Sequence, residues 1–292
     1  MSVPDKFQGF QSPSAEHWTD FQKNSFEPRP FGEYDVDIKV ECCGVCASDR
    51  HTISGDWGGC PYPLAVGHEV VGKVLRVGDK VTLAKVGTQA APMLCAGITV
   101  YSPLKRLGAG PGKKVGIVGI GGLGHYGVIF AKALGAEVYA ISRSRAKEAD
   151  ARKMGADGFL ATGEKDWTKG HEMSFDIIIN TATSFEGFAL SEYLSLLDVH
   201  GHWNSVGLPG GDGISIRNQD FITNGCYIGT SHLGSRREML EMLQLAADKG
   251  LKSWIEEIPI SKEGLQQAME ALKTSSVRYR SCMTNYEEAF GA

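Results

Sequence analysis

Three residues whose side chains can bind zinc lie in the first third of the chain, two of them at the ends of strand-like segments. Cys46 lies in the segment CGVCASDRH and His68 lies in VGHEV. A catalytic zinc ion takes three protein ligands and leaves one position open for water or substrate. Cys95, in APMLCAG, is the natural third ligand, and Glu69 is a candidate for transient coordination. These residue types predict an open, catalytic zinc site.

Each of these residues also has a simpler interpretation. A buried cysteine commonly packs as a small hydrophobic side chain, and His68 is compatible with a hydrogen-bonded core histidine. The chain has 7 cysteines, an odd number, and no secretion signal, so metal binding or burial is expected rather than disulfides. Cys43 and Cys46 form one CxxC pair, but a closed structural site needs a second pair. Spacing alone leaves both the ligand and the packing interpretations open.

A glycine-rich turn with the pattern GxGxxG occupies residues 119–124. It follows the strand-like run KKVGIV and opens the helical run HYGVIFAKAL, which is the context that dinucleotide binding requires. Gly119 is expected to make the tight turn, Gly121 to let the backbone approach a pyrophosphate, and Gly124 to allow close helix–strand packing. Gly122 and Leu123 complete the loop, whose free N–H groups face the phosphates at the helix start. The alternative is a strand-to-helix turn without a ligand.

The residues after the second strand of this unit indicate which dinucleotide is bound. An acidic residue about 20 positions downstream of the glycines would hold the ribose hydroxyl of NAD. The strand AEVYAIS instead ends at Ser142, followed by Arg143, Ser144, Arg145 and then Lys147. Ser142, Arg143 and Lys147 are expected to bind a 2′-phosphate, which predicts NADP(H). A solvated basic helix start is the alternative, although cations are unfavourable at a helix N-terminus.

The elements that must position these residues follow two different patterns. Strand-like runs at residues 34–44 and 68–78 alternate apolar and polar side chains, as half-buried strands do. From residue 113 to 198, strand runs alternate with helical runs, which predicts an α/β fold with a doubly wound parallel sheet. The last forty residues do not continue this alternation, and they are expected to belong to the same domain as the first part of the chain. The predicted domains are 1–95 with 251–292, and 96–250.

Composition excludes several classes of function. The 292 residues are 42% hydrophobic and 22% charged, with a net charge of −4, which gives no reason to expect nucleic acid or an anionic membrane as a partner. No apolar run reaches the ~18 residues that span a bilayer, and the polar start lacks the features of a signal peptide. The sequence therefore predicts a cytoplasmic protein that acts on a small molecule.

The motifs CGVCASDRH, GHEVVGKVLRVG, APMLCAG and GIGGLG occur in one order. In this the chain resembles the zinc-dependent medium-chain dehydrogenase/reductases, and most of all their cinnamyl-alcohol-dehydrogenase branch. The resemblance covers nearly the whole chain. It implies a Rossmann domain with a GroES-like β-barrel catalytic domain, and a zinc ion held by Cys46, His68 and Cys95 with Glu69 beside them.

The resemblance also implies roles for residues around the metal. Asp49 would orient the ligand His68, while Ser48 and His51 would relay a proton between the substrate oxygen and solvent. The implied reaction is hydride transfer between NADP(H) and a primary alcohol or aldehyde, with aldehyde reduction as the expected direction. The implied assembly is a homodimer formed through the sheet edge of the cofactor domain. Trp57 is compatible with a substrate-pocket wall or with simple packing.

One departure from the family pattern affects these expectations. The family carries a long segment before the equivalent of APMLCAG, with four cysteines that bind a structural zinc and further barrel strands. Here His68 and Cys95 are 27 positions apart and no such cluster exists, so we infer a deletion of several dozen residues with its join near 87–89. A truncated barrel exposes strand edges and apolar surface. The chain is then either a compact zinc alcohol dehydrogenase without a structural zinc site, or a deletion variant without dehydrogenase activity that acts as an NADPH-binding or repurposed pathway protein.

Overall fold

The computed structural model describes residues 6–33, 35–79, 88–185, 187–208 and 215–291. The chain divides into two compact units: Met1–Cys95 with Ser253–Ala292, and Ala96–Lys252. None of the helices in the described ranges combines the length and apolar character needed to cross a bilayer.

The described residues form twelve strands and eight α-helices. The strands are β1 Phe7–Gln11, β2 Gln22–Phe26, β3 Val36–Val45, β4 Glu69–Val77, β5 Lys114–Val118, β6 Glu137–Ser142, β7 Gly158–Ala161, β8 Phe175–Asn180, β9 Leu197–Ser205, β10 Tyr227–Thr230, β11 Ile255–Pro259 and β12 Arg280–Thr284. The helices are α1 Ala47–Ile53, α2 Ala96–Arg106, α3 Gly124–Leu134, α4 Glu148–Lys153, α5 Leu190–Ser195, α6 Arg236–Asp248, α7 Lys262–Lys273 and α8 Tyr286–Phe290.

The unit Ala96–Lys252 is built on a six-stranded sheet in the order β10-β9-β8-β5-β6-β7. All of its strand pairs are parallel, which confirms the predicted doubly wound sheet. The central strands KVGIV and FDIIIN are apolar at consecutive positions because helices cover both faces of a parallel sheet. Phe175, Ile178, Leu194 and Trp203 are buried in one core cluster of this unit.

The unit Met1–Cys95 with Ser253–Ala292 contains two separate sheets among its described residues. One has the order β11-β12-β3-β4, and the other pairs β1 with β2. Strands β12 and β3, and β3 and β4, run antiparallel, whereas β11 and β12 are parallel. Side chains such as Phe21, Val45, Ile260 and Met283 form its core.

The β3–β4 ladder fixes the part of this unit that carries the candidate ligands. Gly44 is paired with Glu69, so the residues after β3 and before β4 lie at the same end of the ladder. The 3-10 helix Thr88–Leu94 packs on this ladder, with its Ala91 buried against Cys42 and Val71. The inferred join begins at Gly87, which lies outside the described residues. Packing of this short helix on the ladder brings the following residue, Cys95, to the same region.

Candidate functional site

Cys46, His68, Glu69 and Cys95 converge in one place. Each offers a ligand atom, and these atoms all lie within 4.8 Å of one another. The Sγ atoms of Cys46 and Cys95 are 3.9 Å apart. Two thiolates that bind one tetrahedral zinc at ~2.3 Å would stand about 3.8 Å apart. The donor set and its spacing therefore fit a zinc ion.

Asp49 connects two of these residues from the first turn of α1. Its Oδ2 accepts a hydrogen bond from the backbone N–H of Cys46 at 2.9 Å, and its Oδ1 lies 3.0 Å from His68 Nδ1. A carboxylate only accepts, so Nδ1 carries the proton and Nε2 remains for a metal. Because Asp49 is buried, this arrangement fixes both the tautomer and the ring orientation of His68.

The groups of this cluster shift one another's pKa values. The hydrogen bond from Cys95, with further contributions from His68 and Arg280, lowers the pKa of Cys46 to about 2. The same hydrogen bond and burial raise the pKa of Cys95. Asp49 first, and then Cys46, raise the pKa of His68 to about 10. Metal binding at these residues would release protons from Cys95 and His68, so the affinity for a metal would fall as the pH is lowered.

Glu69 is held by a buried ion pair across the sheet. Its side chain has an exposed fraction of 0%, that of Arg280 on β12 is 5% exposed, and Nη2 of Arg280 donates to Oε1 of Glu69. Gly44 leaves the space for this carboxylate, since a Cβ there would lie 1.9 Å from Oε2. Within the described residues, Oε2 has no hydrogen-bond partner. A buried oxygen of this kind beside two sulfurs is a further donor for a cation.

Ser48 and His51 lie one helical turn apart on α1. The Ser48 hydroxyl is 3.6 Å from the sulfur of Cys46. His51 Nδ1 lies 2.8 Å from Oδ2 of Asp56, and its ring stacks on Trp57 with centroids 5.0 Å apart. The hydrogen bond with His51 lowers the pKa of Asp56. Trp57 is half exposed and covers an imidazole, so it is not a core packing residue.

The glycine loop has the shape that dinucleotide binding requires. Gly119 has φ +83°, which favours glycine, and a Cβ on Gly124 would lie 1.8 Å from the carbonyl oxygen of Gly119. A Cβ on Gly121 would meet nothing within 4 Å. The loop is therefore tight where helix and strand meet and open where a pyrophosphate would approach, with Gly122 and Leu123 leading into α3.

The basic segment after β6 is partly tied to the glycine loop. Lys147 donates from Nζ to the carbonyl oxygen of Ile120 at 2.7 Å, which places its ammonium group beside the loop. Ser142 ends β6 half-buried, and Arg143 is exposed. Arg145 is engaged by Glu164 and Glu148 instead. Lys147 is thus held at the glycine loop, whereas Arg145 is held by two carboxylates.

Two residues of the site are not predicted by the sequence motifs. Arg280 is 211 positions from its partner Glu69, and the polar residues of its strand RSCMT give no sign that the charge is buried. Asp56 follows His51 by five positions in a loop, where an acidic residue carries no distinctive pattern. Each is a hydrogen-bond partner of a residue that the motifs did identify, Arg280 of Glu69 and Asp56 of His51.

Two family descriptions match this chain. Residues 32–137 match the alcohol dehydrogenase GroES-like domain, and residues 122–248 match the zinc-binding dehydrogenase family. The NADP-dependent alcohol dehydrogenase 6 of Saccharomyces cerevisiae is 35% identical over 360 residues, with 99% of each chain covered.

Solved structures of cinnamyl alcohol dehydrogenases have the same fold. The enzyme SbCAD4 from Sorghum bicolor is 30% identical, with a TM-score of 0.85 and 95% and 97% of the two chains covered. The enzyme from Helicobacter pylori, solved in complex with NADP(H), is 26% identical, with a TM-score of 0.82 and the same coverage.

The alignment with the yeast relative also measures the shortening of this chain. It runs over 360 residues, whereas the chain has 292, so at least 68 positions of the relative have no counterpart here. This agrees with the several dozen residues inferred to be missing. The four candidate ligands nevertheless remain within reach of one ion.

Proposed function

Because the chain belongs to the zinc-dependent medium-chain dehydrogenase/reductases, and among them to the cinnamyl-alcohol-dehydrogenase-like alcohol dehydrogenases, we propose that it reduces aldehydes to primary alcohols with NADPH at a single zinc site. Hydride transfer between NADP(H) and an alcohol or aldehyde is the reaction class of this family, with a small molecule as substrate. The observation that carries the proposal is the convergence of Cys46, His68, Glu69 and Cys95 within 4.8 Å in a chain this short.

The zinc ion would be held by Cys46, His68 and Cys95. Glu69, which is ion-paired with Arg280, would be a further candidate ligand. When bound, zinc supplies Lewis-acid polarisation of the substrate oxygen, and NADPH supplies the hydride. Asp49 keeps His68 in the tautomer that ligates through Nε2. The proposal includes no structural zinc site, because the described residues bring together no other group of three metal-binding side chains.

Ser48 and His51 would move the proton. The Ser48 hydroxyl lies beside the ligand sulfur of Cys46, where it can give a proton to the product oxygen. His51 lies on the same face of α1, and its hydrogen bond to the exposed Asp56 offers an exit toward solvent. Stacking on Trp57 keeps the imidazole ring in this orientation.

NADPH would be selected by Ser142, Arg143 and Lys147, since one hydroxyl and two cations suit a 2′-phosphate. The glycines at 119, 121, 122 and 124, with Leu123, would hold the pyrophosphate. The cytoplasmic location stays a prediction.

A homodimer through strand β10 is part of the proposal. β10 is the outermost strand of the parallel sheet, and Tyr227 on it is 57% exposed, with Ile222 just before it 75% exposed. An open strand edge with apolar side chains is a surface that pairs readily with a second copy. Sedimentation equilibrium should give twice the chain mass, and Ile222→Asp with Tyr227→Asp should give monomers. Met173→Asp, an exposed apolar position elsewhere in this unit, is the matched control.

The decisive experiment combines metal analysis with NADPH oxidation over a panel of aldehydes. We expect one zinc per chain and turnover, both lost in Cys95→Ala and both kept in Cys60→Ala, whose thiol donates to a backbone carbonyl of α1 instead. NADPH binding without zinc or turnover in the unmodified protein would refute the proposal and assign the chain as a non-catalytic NADPH-binding protein.

A further inference from the structure

Five consecutive carbonyl oxygens of the glycine loop, those of residues 119–123, each accept a hydrogen bond. Two of the donors are backbone N–H groups of α3, at His125 and Gly127. The other three are side-chain groups, namely the Thr181 hydroxyl, the Lys147 ammonium group and Nδ1 of His125. In a trans peptide group the C=O and the following N–H point in opposite directions, so a donor that holds one carbonyl turns the next N–H of the loop away from itself. The groups that bind the carbonyls therefore set the directions of the N–H groups.

Thr181 serves the first peptide group of the loop from the neighbouring strand. This residue is buried and directly follows β8, which pairs with β5. Its Oγ1 lies 2.6 Å from the carbonyl oxygen of Gly119 and 2.9 Å from that of Val118. The Val118 oxygen already accepts the backbone N–H of Thr181 at 2.9 Å. A hydroxyl has one proton to donate, and the shorter contact assigns that proton to Gly119.

The Thr181 hydroxyl lies between two glycines of the motif. A Cβ on Gly119 would come within 3.2 Å of Oγ1, and a Cβ on Gly124 would come within 3.1 Å of it. The backbone beyond Thr181 is also fixed, because the N–H of Ala182 donates to Oδ1 of the buried Asn180 at 3.2 Å. The hydroxyl is thus held at one place against the first turn of the loop, where the motif leaves room for it.

We propose that Thr181 is a positioning residue for the dinucleotide, whose hydroxyl holds the first peptide group of the glycine loop in the orientation that suits a pyrophosphate. This inference rests on the proposed use of NADPH. A methyl group stands about 3.3 Å from a carbonyl oxygen, so Thr181→Val would displace the Gly119 carbonyl by roughly 0.7 Å from its 2.6 Å contact. The N–H of Ile120 belongs to the same planar group and would move with it. A loop that must reorder on binding holds its ligand less tightly than a pre-organised one.

Calorimetric titration of the full-length protein with NADPH tests the proposal. Thr181→Val should weaken binding about tenfold, and Thr181→Ser, which keeps the hydroxyl, should restore the affinity to within about twofold. Thr181→Ala removes the hydroxyl without adding a methyl group beside the carbonyl, and it replaces Thr181→Val if that variant does not fold. Ser174→Ala is the matched control and should keep the affinity within about twofold. The Ser174 hydroxyl also donates to a backbone carbonyl, that of His171 at 2.7 Å, but at the opposite end of β8.

Two further ligands separate positioning of the loop from general damage to the unit. NADH has the pyrophosphate without the 2′-phosphate, and adenosine 2′-monophosphate has the 2′-phosphate without the pyrophosphate. Thr181→Val should weaken NADH binding by the same factor as NADPH binding and leave adenosine 2′-monophosphate unaffected. An equal loss for adenosine 2′-monophosphate would overturn the proposal, as would unchanged NADPH affinity in both variants that lack the hydroxyl. Failure of the unmodified protein to bind NADPH would refute the proposed function together with this inference.

Discussion

The ion pair between Arg280 and Glu69 gives the sharpest stability prediction. Both side chains are buried, at 5% and 0% exposure, so neither charge is solvated if its partner is lost. Arg280→Met keeps most of the side-chain volume but leaves the carboxylate of Glu69 alone in the interior. Breaking a buried pair in this way costs about 3–5 kcal/mol. For a protein of this size, that corresponds to a melting temperature lower by about 6–20 °C.

Thermal and urea unfolding are monitored by circular dichroism in the presence of a chelator. The chelator ensures that Arg280 is the positive charge facing Glu69 and that no bound metal compensates its loss. Arg29→Met is the matched control, because Arg29 pairs with Asp35 while its own side chain is 74% exposed. An exposed pair contributes at most about 1 kcal/mol.

The double variant Arg280→Met with Glu69→Gln separates charge burial from packing. Removing both charges should restore most of the lost stability, since a buried pair contributes little net free energy compared with neutral groups of similar volume. A single variant within about 1 kcal/mol of the unmodified protein would refute the reasoning. A double variant no more stable than the single one would show that the loss comes from packing.

Three further predictions concern the two binding sites. Asp49→Asn should weaken zinc affinity about 10–100-fold in a chelator competition, because the amide no longer holds His68 as firmly; unchanged affinity would contradict this. Gly124→Ala should lower thermal stability through the contact with Gly119, whereas Gly121→Ala should keep the melting temperature and weaken NADPH binding measured by calorimetry. The reverse order would contradict the loop geometry. Arg143→Gln should reduce the ratio of NADPH to NADH affinity about tenfold, and an unchanged ratio would exclude Arg143 from the 2′-phosphate site.

The parallel sheet could be predicted because its signals are local. Runs such as KVGIV and FDIIIN are strands by composition, and the helices between them have their own periodicity. Shorter elements were missed, among them β7 and β10, which have only four residues each. Four residues give too few repeats for alternation to be recognised, and pairing with neighbouring strands decides their structure.

The candidate site could be predicted only where a motif is contiguous. Cys46 and Asp49 share one short segment, and the glycine loop is a single run of six residues. Arg280 contributes through β12, which pairs with β3 over a separation that no local pattern encodes.

The order of the elements along the chain explains why the candidate ligands stay together although the segment between His68 and Cys95 is short. Cys46 and His68 are set by the β3–β4 ladder, which lies entirely before the inferred join. Only Cys95 follows the join, and its position depends on the 3-10 helix Thr88–Leu94. Ala91 of that helix is fully buried against Cys42 and Val71 of the same ladder. Because the anchor of the third ligand packs on the strands that carry the first two, the length of the connection between them can change while the three donors stay together.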